Sequence, residues 1–245
     1  MVPSKNRLDS TPHNITWNAE LDHQFAPSVL VKLSYLSSRT YDQFVVNPQV
    51  LPAGPTMLLS NTGGARYHEF ECTLRLRPLE KADVSLSYVH STSRSDLNTL
   101  TALYIPFQAP VIVPNAVAAT PSNVPDRIVT WGTFKLPWEM SFGPVFDIHT
   151  GFPYSIVDTL QNYVGPPMSQ RFPTFASLDF KVTKDFRLPF LPWVKNHKMR
   201  IGFFAYNITD HGNPRDVYNN ITSSNFGHFV GFQHRLFDAS FDIVY

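Results

Sequence analysis

Asp147 and His149 are the pair in this sequence best spaced for catalysis. On an extended strand, residues two apart project to the same side, so a carboxylate there could orient the imidazole of a general base. A hydrolase built on them would still need a nucleophile or a held water, and no motif supplies either. The nine histidines show no His-Glu-x-x-His helix and no other metal-ligand spacing; His228 and His234 flank the start of the final strand and read as loop residues. Cys72 is the only cysteine, which excludes an intrachain disulfide and a cysteine-based zinc site. These residues imply no cofactor and no bound metal. Asn14-Ile15-Thr16, Asn207-Ile208-Thr209 and Asn220-Ile221-Thr222 match the glycosylation sequon, and because two of them occupy or adjoin expected strands they are read as coincidence.

The elements that carry these residues are announced by composition. Apolar residues make up 43% of the chain and charged residues only 16%, against roughly 25% charge in ordinary soluble domains. Aromatic content is 14%, with 20 Phe and 10 Tyr, a composition that suits strands and interfaces. A formal net charge of +1 gives none of the basic stripe that a nucleic-acid partner requires. No run approaches the roughly 18 apolar residues of a transmembrane helix, so any membrane crossing must be made by strands. Met1 to Ser10 has no apolar signal-peptide core, and the expectation is of a chain truncated at its front.

A period of two runs through most of the sequence. Ala176, Leu178, Phe180 and Val182 alternate with Ser177, Asp179, Lys181 and Thr183. Ile15, Trp17, Ala19, Leu21 and Phe25 alternate with Thr16, Asn18, Glu20, Asp22 and Gln24, with His23 the one break. Phe70, Cys72, Leu74 and Leu76 alternate with Glu71, Thr73, Arg75 and Arg77; Val84, Leu86 and Tyr88 face away from Asp83, Ser85 and Ser87. Weaker versions cover 29–41, 128–136, 142–148 and 199–208, and a last strand covers 230–245. That predicts about nine strands, each near the ~9 to 11 residues that cross a bilayer at a tilt.

Short and long connections alternate strictly between these strands. Short turns are expected at 26–28, 78–82, 137–139 and, somewhat longer, 187–198; long Pro/Gly-rich or polar loops at 45–64, 95–127, 157–173 and 209–229. Such parity belongs to outer-membrane barrels, with short periplasmic turns and long extracellular loops. The predicted fold is therefore all-β, an antiparallel transmembrane β-barrel segment of about nine long meander strands. Residues 1–245 form one barrel domain, the C-terminal portion of a larger barrel without a plug. In the final strand Phe237, Ala239, Phe241, Ile243 and Tyr245 share one face, which would meet outer-membrane lipid. A C-terminal aromatic after alternating apolar residues is similar to the signal read by the barrel-assembly machinery. Glu20, Asp22, Glu71, Arg75, Asp179 and Lys181 share the inward face and read as a solvated lumen. Trp138 and Trp193, with Pro137, Phe190, Leu191 and Pro192, would sit at headgroup depth or anchor the turns. An external ligand would meet the long loops, where Tyr104, Phe107 and Tyr163 could stack on it.

Several ordered motifs resemble the barrel of TonB-dependent receptors of the Oar-like type. They are Gly64-Ala65-Arg66-Tyr67-His68-Glu69-Phe70-Glu71, Tyr88-Val89-His90-Ser91 with Arg94-Ser95-Asp96-Leu97-Asn98, and Gly151-Phe152-Pro153-Tyr154-Ser155. Asn162-Tyr163-Val164-Gly165-Pro166-Pro167, Arg171-Phe172-Pro173, Tyr206-Asn207-Ile208-Thr209-Asp210-His211 and Asn213-Pro214-Arg215-Asp216-Val217 follow in order. The resemblance implies a barrel of about 22 strands in the bacterial outer membrane, filled by a plug and energised by the TonB system, that binds or takes up a ligand without chemistry. The alternatives are a soluble β-sandwich that binds carbohydrate and a barrel-embedded hydrolase resting on Asp147 and His149.

Overall fold

A computed structural model describes residues 2–3, 11–99, 113–187 and 198–244. Among these, nine strands form one antiparallel meander: β1 (His13–Ala26), β2 (Val29–Leu51), β3 (Gly54–Leu79), β4 (Ala82–Asp96), β5 (Asp126–Leu136), β6 (Met140–His149), β7 (Phe175–Phe186), β8 (Lys198–Tyr206) and β9 (Leu236–Val244). Each pairs with its sequence neighbour. The described residues include no helix, and strands of 9 to 26 residues exceed the usual ~5 to 6.

Register turns the separate alternations into two continuous faces. Leu33 pairs with Cys72, Cys72 with Tyr88, Tyr88 with Ile128, Ile128 with Ile148 and Ile148 with Ala176. Farther along, Phe180 pairs with Ala205 and Ala205 with Phe237. Opposite residues share a face, so these rows weld the apolar positions of all nine strands into one band. The Glu20, Lys32, Glu71, Arg75, Asp147, Asp179 and Arg200 positions fall on the other face.

Neither face has a second layer upon it. Apart from Met199 and Ala205, the buried apolar side chains (Val45, Val46, Val113, Ala118, Val157 and Val217) lie in the β2–β3 extension or the long loops. Large apolar residues of the band stand open: Leu21 is 62% exposed, Phe241 58% and Ile201 49%. A carbohydrate-binding sandwich needs a facing sheet to bury such a band, and among the described residues none packs on it. The edges of the meander, β1 and β9, have no strand on their outer sides among the described residues.

The short turns fall at 27–28, 80–81 and 137–139, all at one end. The turn at 137–139 is made without glycine: Trp138 and Glu139 both have positive φ, at 61° and 56°. It is held from β7, where Asp185 N donates to Glu139 O at 3.0 Å and Lys184 Nζ donates to Trp138 O. Trp138 stays 79% exposed at the tip; Trp193, Phe190, Leu191 and Pro192 lie outside the described residues.

Three expected boundaries change. Residues 45–64 are a continuation of β2 and β3, paired from Val45–Ser60 to Leu51–Gly54 around a turn at 52–53, whereas their Pro and Gly content had suggested a loop. Two irregularities around Gln43 separate this extension from the barrel part, and Val2–Pro3 adds a parallel strand against Leu58 and Leu59. β8 ends at Tyr206 because Asn207 turns to φ 48°. β9 begins at Leu236, since Phe229–Val230 instead pairs with Asp216–Val217 and Gly231 breaks the line at φ 66°.

Candidate functional site

The polar face is a lattice of cross-strand charge pairs. Lys32 Nζ meets Glu20 at 2.7 Å; Arg75 grips Asp83 through Nε and Nη2; Arg200 does the same to Asp185. Glu71 accepts hydroxyls from Thr73 and Ser87, both at 2.8 Å. Asp179 accepts from Ser177 and from Asn207 N, and Lys181 Nζ lies 4.8 Å from the centre of the Phe204 ring. Asp22 stands opposite Lys32. Most of these pairs are half exposed, where screening leaves each worth roughly 0 to 1 kcal/mol. The face is a polar wall on which many of the charges are paired across strands.

Asp147 and His149 do project to this face, but each has a different partner. Arg127 binds Asp147 bidentately at 3.0 and 2.7 Å. His149 places Nδ1 2.8 Å from Thr150 O and stacks on Phe175 at 4.6 Å, 11° from parallel. The carboxylate therefore does not orient the imidazole. Among the described residues no group of three His, Cys, Asp or Glu side chains converges as a metal site.

At the long-loop end the wall opens into a cleft of about 410 Å³ bordered by Tyr67, Glu69, Ser93, Asn123, His149 and Phe152, among others. Its rim is fixed by Arg171, whose Nη1 donates to Asn123 O and Gly151 O at 3.0 and 2.9 Å and whose Nη2 donates to Asn123 Oδ1 at 2.8 Å. Burial among these carbonyls pulls the Arg171 guanidinium below its usual range. Asn123 in turn donates to Ser93 O at 3.0 Å. One arginine thus ties three loop segments together.

Two loops clasp each other above the cleft. Pro153–Tyr154 pairs with Gln170–Arg171, and Tyr154, Phe172 and Phe229 form a ring cluster with centroids 5.4 to 6.3 Å apart. Val157 N donates to Asn219 O and Ile221 N donates back to Val157 O. A Cβ at Gly151 would stand 1.9 Å from Phe172 O, so the turn there admits only glycine. Tyr163 is half-buried in this loop, bridged to Val157, and burial raises its phenol above the usual range. Tyr104 and Phe107 lie outside the described residues. Phe237, Ala239, Phe241 and Ile243 line up on the outer face of β9; Tyr245 lies outside the described residues.

Sequence reasoning did not single out Arg127, Arg171, Asn207 or Asn213. Asn213 uses its side chain as a strand would use its backbone, donating to Ala176 O and accepting from Ala176 N. The quoted motifs contain Arg171, Asn207 and Asn213 but not Arg127, and only register shows what these residues hold.

A one-layer antiparallel meander, apolar outside and polar inside, with short turns at one end and long loops at the other, is a segment of an outer-membrane-type transmembrane β-barrel. The chain is similar in structure to the outer membrane transporter YddB from Escherichia coli, with a TM-score of 0.60 and 15% sequence identity. The likeness covers 95% of this chain and 33% of that one, so this chain spans about a third of the transporter's length. No family model and no curated protein matches the sequence.

Proposed function

We propose that the chain is the C-terminal part of the barrel of a TonB-dependent outer-membrane receptor of the Oar-like type, and that the whole protein binds and takes up an external ligand. The observation that carries this is the band of open apolar side chains running unbroken from β1 to β9 on one face, backed by a polar face on which many charges are paired. Lipid is the solvent that fits the first and an aqueous lumen or plug the second. Unpaired edges are untenable in hydrocarbon, so in this reading β1 and β9 are flanked by further barrel strands. The short turns are periplasmic, the long loops extracellular, and the face of Phe237, Ala239, Phe241, Ile243 and Tyr245 is what the assembly machinery reads. The ordered motifs and the structural likeness to an outer membrane transporter support the assignment.

Expression behind a secretion signal, followed by membrane fractionation, tests it. The chain is expected in the outer-membrane fraction, extractable only with detergent. Recovery as a soluble monomer without detergent would overturn the reading.

A further inference from the structure

Three arginines stand in one row across neighbouring strands. Arg39 on β2 is the direct register partner of Arg66 on β3, and Arg66 is that of Arg94 on β4. All three therefore project from the apolar, outward face, spaced by the ~4.8 Å between strands. Like charges directly opposite one another destabilise a sheet. All three are exposed, and among the described residues none makes an ion pair with a carboxylate. Arg94 Nη2 donates to Val117 O at 3.1 Å, and Arg39 lies 4.9 Å over the Tyr41 ring. The row borders a cleft of about 310 Å³. Asp96 also lines that cleft, but its carboxylate is engaged by Gly64 N at 2.6 Å and by the Asn115 amide.

The height of the row identifies its ligand class. Phe70, four residues below Arg66 on the same face, opens the apolar band together with its row partner Tyr35, while its other row partner, His90, holds Asp126 Oδ1 at 2.8 Å on the same face. Four residues cover about 13 Å along a strand, or roughly 10 Å of height at the tilt of a barrel. Between band and arginines lie Ser37, His68 and Thr92, and Tyr35 Oη reaches His68 Nδ1 at 3.2 Å. The arginines thus meet the bilayer where headgroups begin. A planar guanidinium fork matches phosphate oxygens bidentately, and a row of three suits a headgroup carrying more than one phosphate.

We infer that Arg39, Arg66 and Arg94 form a binding site for the phosphates of a lipid headgroup in the leaflet on the long-loop side. The inference rests on the outer-membrane reading above. A phosphorylated lipid would relieve the repulsion within the row and fix the chain's height in the bilayer.

The test uses the whole barrel that the reading above assigns to this chain, in phosphatidylcholine vesicles, with and without bisphosphorylated lipid A, scoring insertion by heat-modifiable gel migration and bound lipid by native mass spectrometry. The barrel is expected to retain lipid A and to lose it about tenfold more readily as Arg66→Gln, as the loss of one charge-assisted fork predicts. The triple glutamine variant should retain none, and all variants should insert alike. Should the triple variant fail to insert, Arg66→Gln alone decides the question. Equal retention by the barrel and Arg66→Gln, equal retention of dephosphorylated lipid A, or displacement by inorganic phosphate at matching concentration overturns the inference while insertion leaves the membrane reading intact. If the unaltered barrel does not insert at all, both fall together.

Discussion

Asn207 carries more of the loop end than any other side chain in the described structure. It is 1% exposed, and its amide donates to His211 O and Gln233 O at 2.9 and 3.1 Å while its Oδ1 accepts from His211 N. Its φ of 48° is one that asparagine visits more readily than most residues. Replacing it with alanine strands buried backbone groups and loses asparagine's tolerance of the left-handed region. At about 1 kcal/mol per buried hydrogen bond, Asn207→Ala is expected to cost roughly 3 kcal/mol, measured by urea unfolding in detergent micelles. Burial this complete also leaves the Asn207 sequon no way to carry a glycan in the folded chain. Asp210 belongs to the same turn. The N–H of Arg235 donates to its carboxylate at 2.9 Å and holds it below the usual range, with the Arg235 and His234 charges adding to the effect. A depressed folded pKa gives stabilisation that is present above the unfolded value near 3.9 and is lost as pH falls through the folded one. Asp158 is lowered in the same sense by Asn162. The protection of amides in 207–235 and 150–174, taken relative to their intrinsic exchange rates, is therefore expected to fall as pH drops below about 4, and Asp210→Asn should reduce that fall in the first loop. Protection that stays constant between neutral and acidic pH would sink this account.

At the scale of elements, the strands were legible and their partnerships were not. Alternation alone marks Ala176 to Thr183 and Ile15 to Phe25 as strands, because a sheet between lipid and water forces a period of two. The same pattern says nothing of register, and register decides that Asp147 belongs to Arg127, that Arg39, Arg66 and Arg94 form a row, and that Asn213 completes β7. Residues 45–64 misled in the opposite direction. Pro48, Pro52 and Pro55 read as loop, yet an isolated hairpin tolerates proline wherever the missing N–H faces outward. The extension is further fixed by Asn98, which is 5% exposed and donates to Val46 O and Val113 O. Several quoted motifs supply residues that fasten strand ends to loops, among them Asp96, Asn98, Arg171, Asn207 and Asn213. Gly151→Ala is accordingly expected to part the two arms of the 150–174 loop, since its Cβ meets the Phe172 carbonyl at 1.9 Å. Limited proteolysis should then cut 150–174 several times faster, while the barrel strands keep their protection; unchanged cleavage would show that the clasp does not depend on this contact.

Among the described residues the chain has almost no core of its own. A domain of this length normally closes on a buried apolar interior, but here the buried apolar side chains sit mainly at the loop end, and the long sheet between the ends is a single layer. Its stability must come from a surrounding solvent that treats its two faces differently. The prediction is an asymmetry between the two faces. Leu86 is 41% exposed within the apolar band, paired with Leu74 on one side and Thr130 on the other. Thr133, three residues from Thr130 on the next strand, faces the polar side opposite Asp83. Leu86→Lys is expected to cost about 2 to 4 kcal/mol in a bilayer, the penalty for a cation near the midplane, and Thr133→Lys to stay within about 0.5 kcal/mol. Unfolding by guanidinium in phosphatidylcholine vesicles measures both. Equal costs would mean that the apolar band does not face lipid.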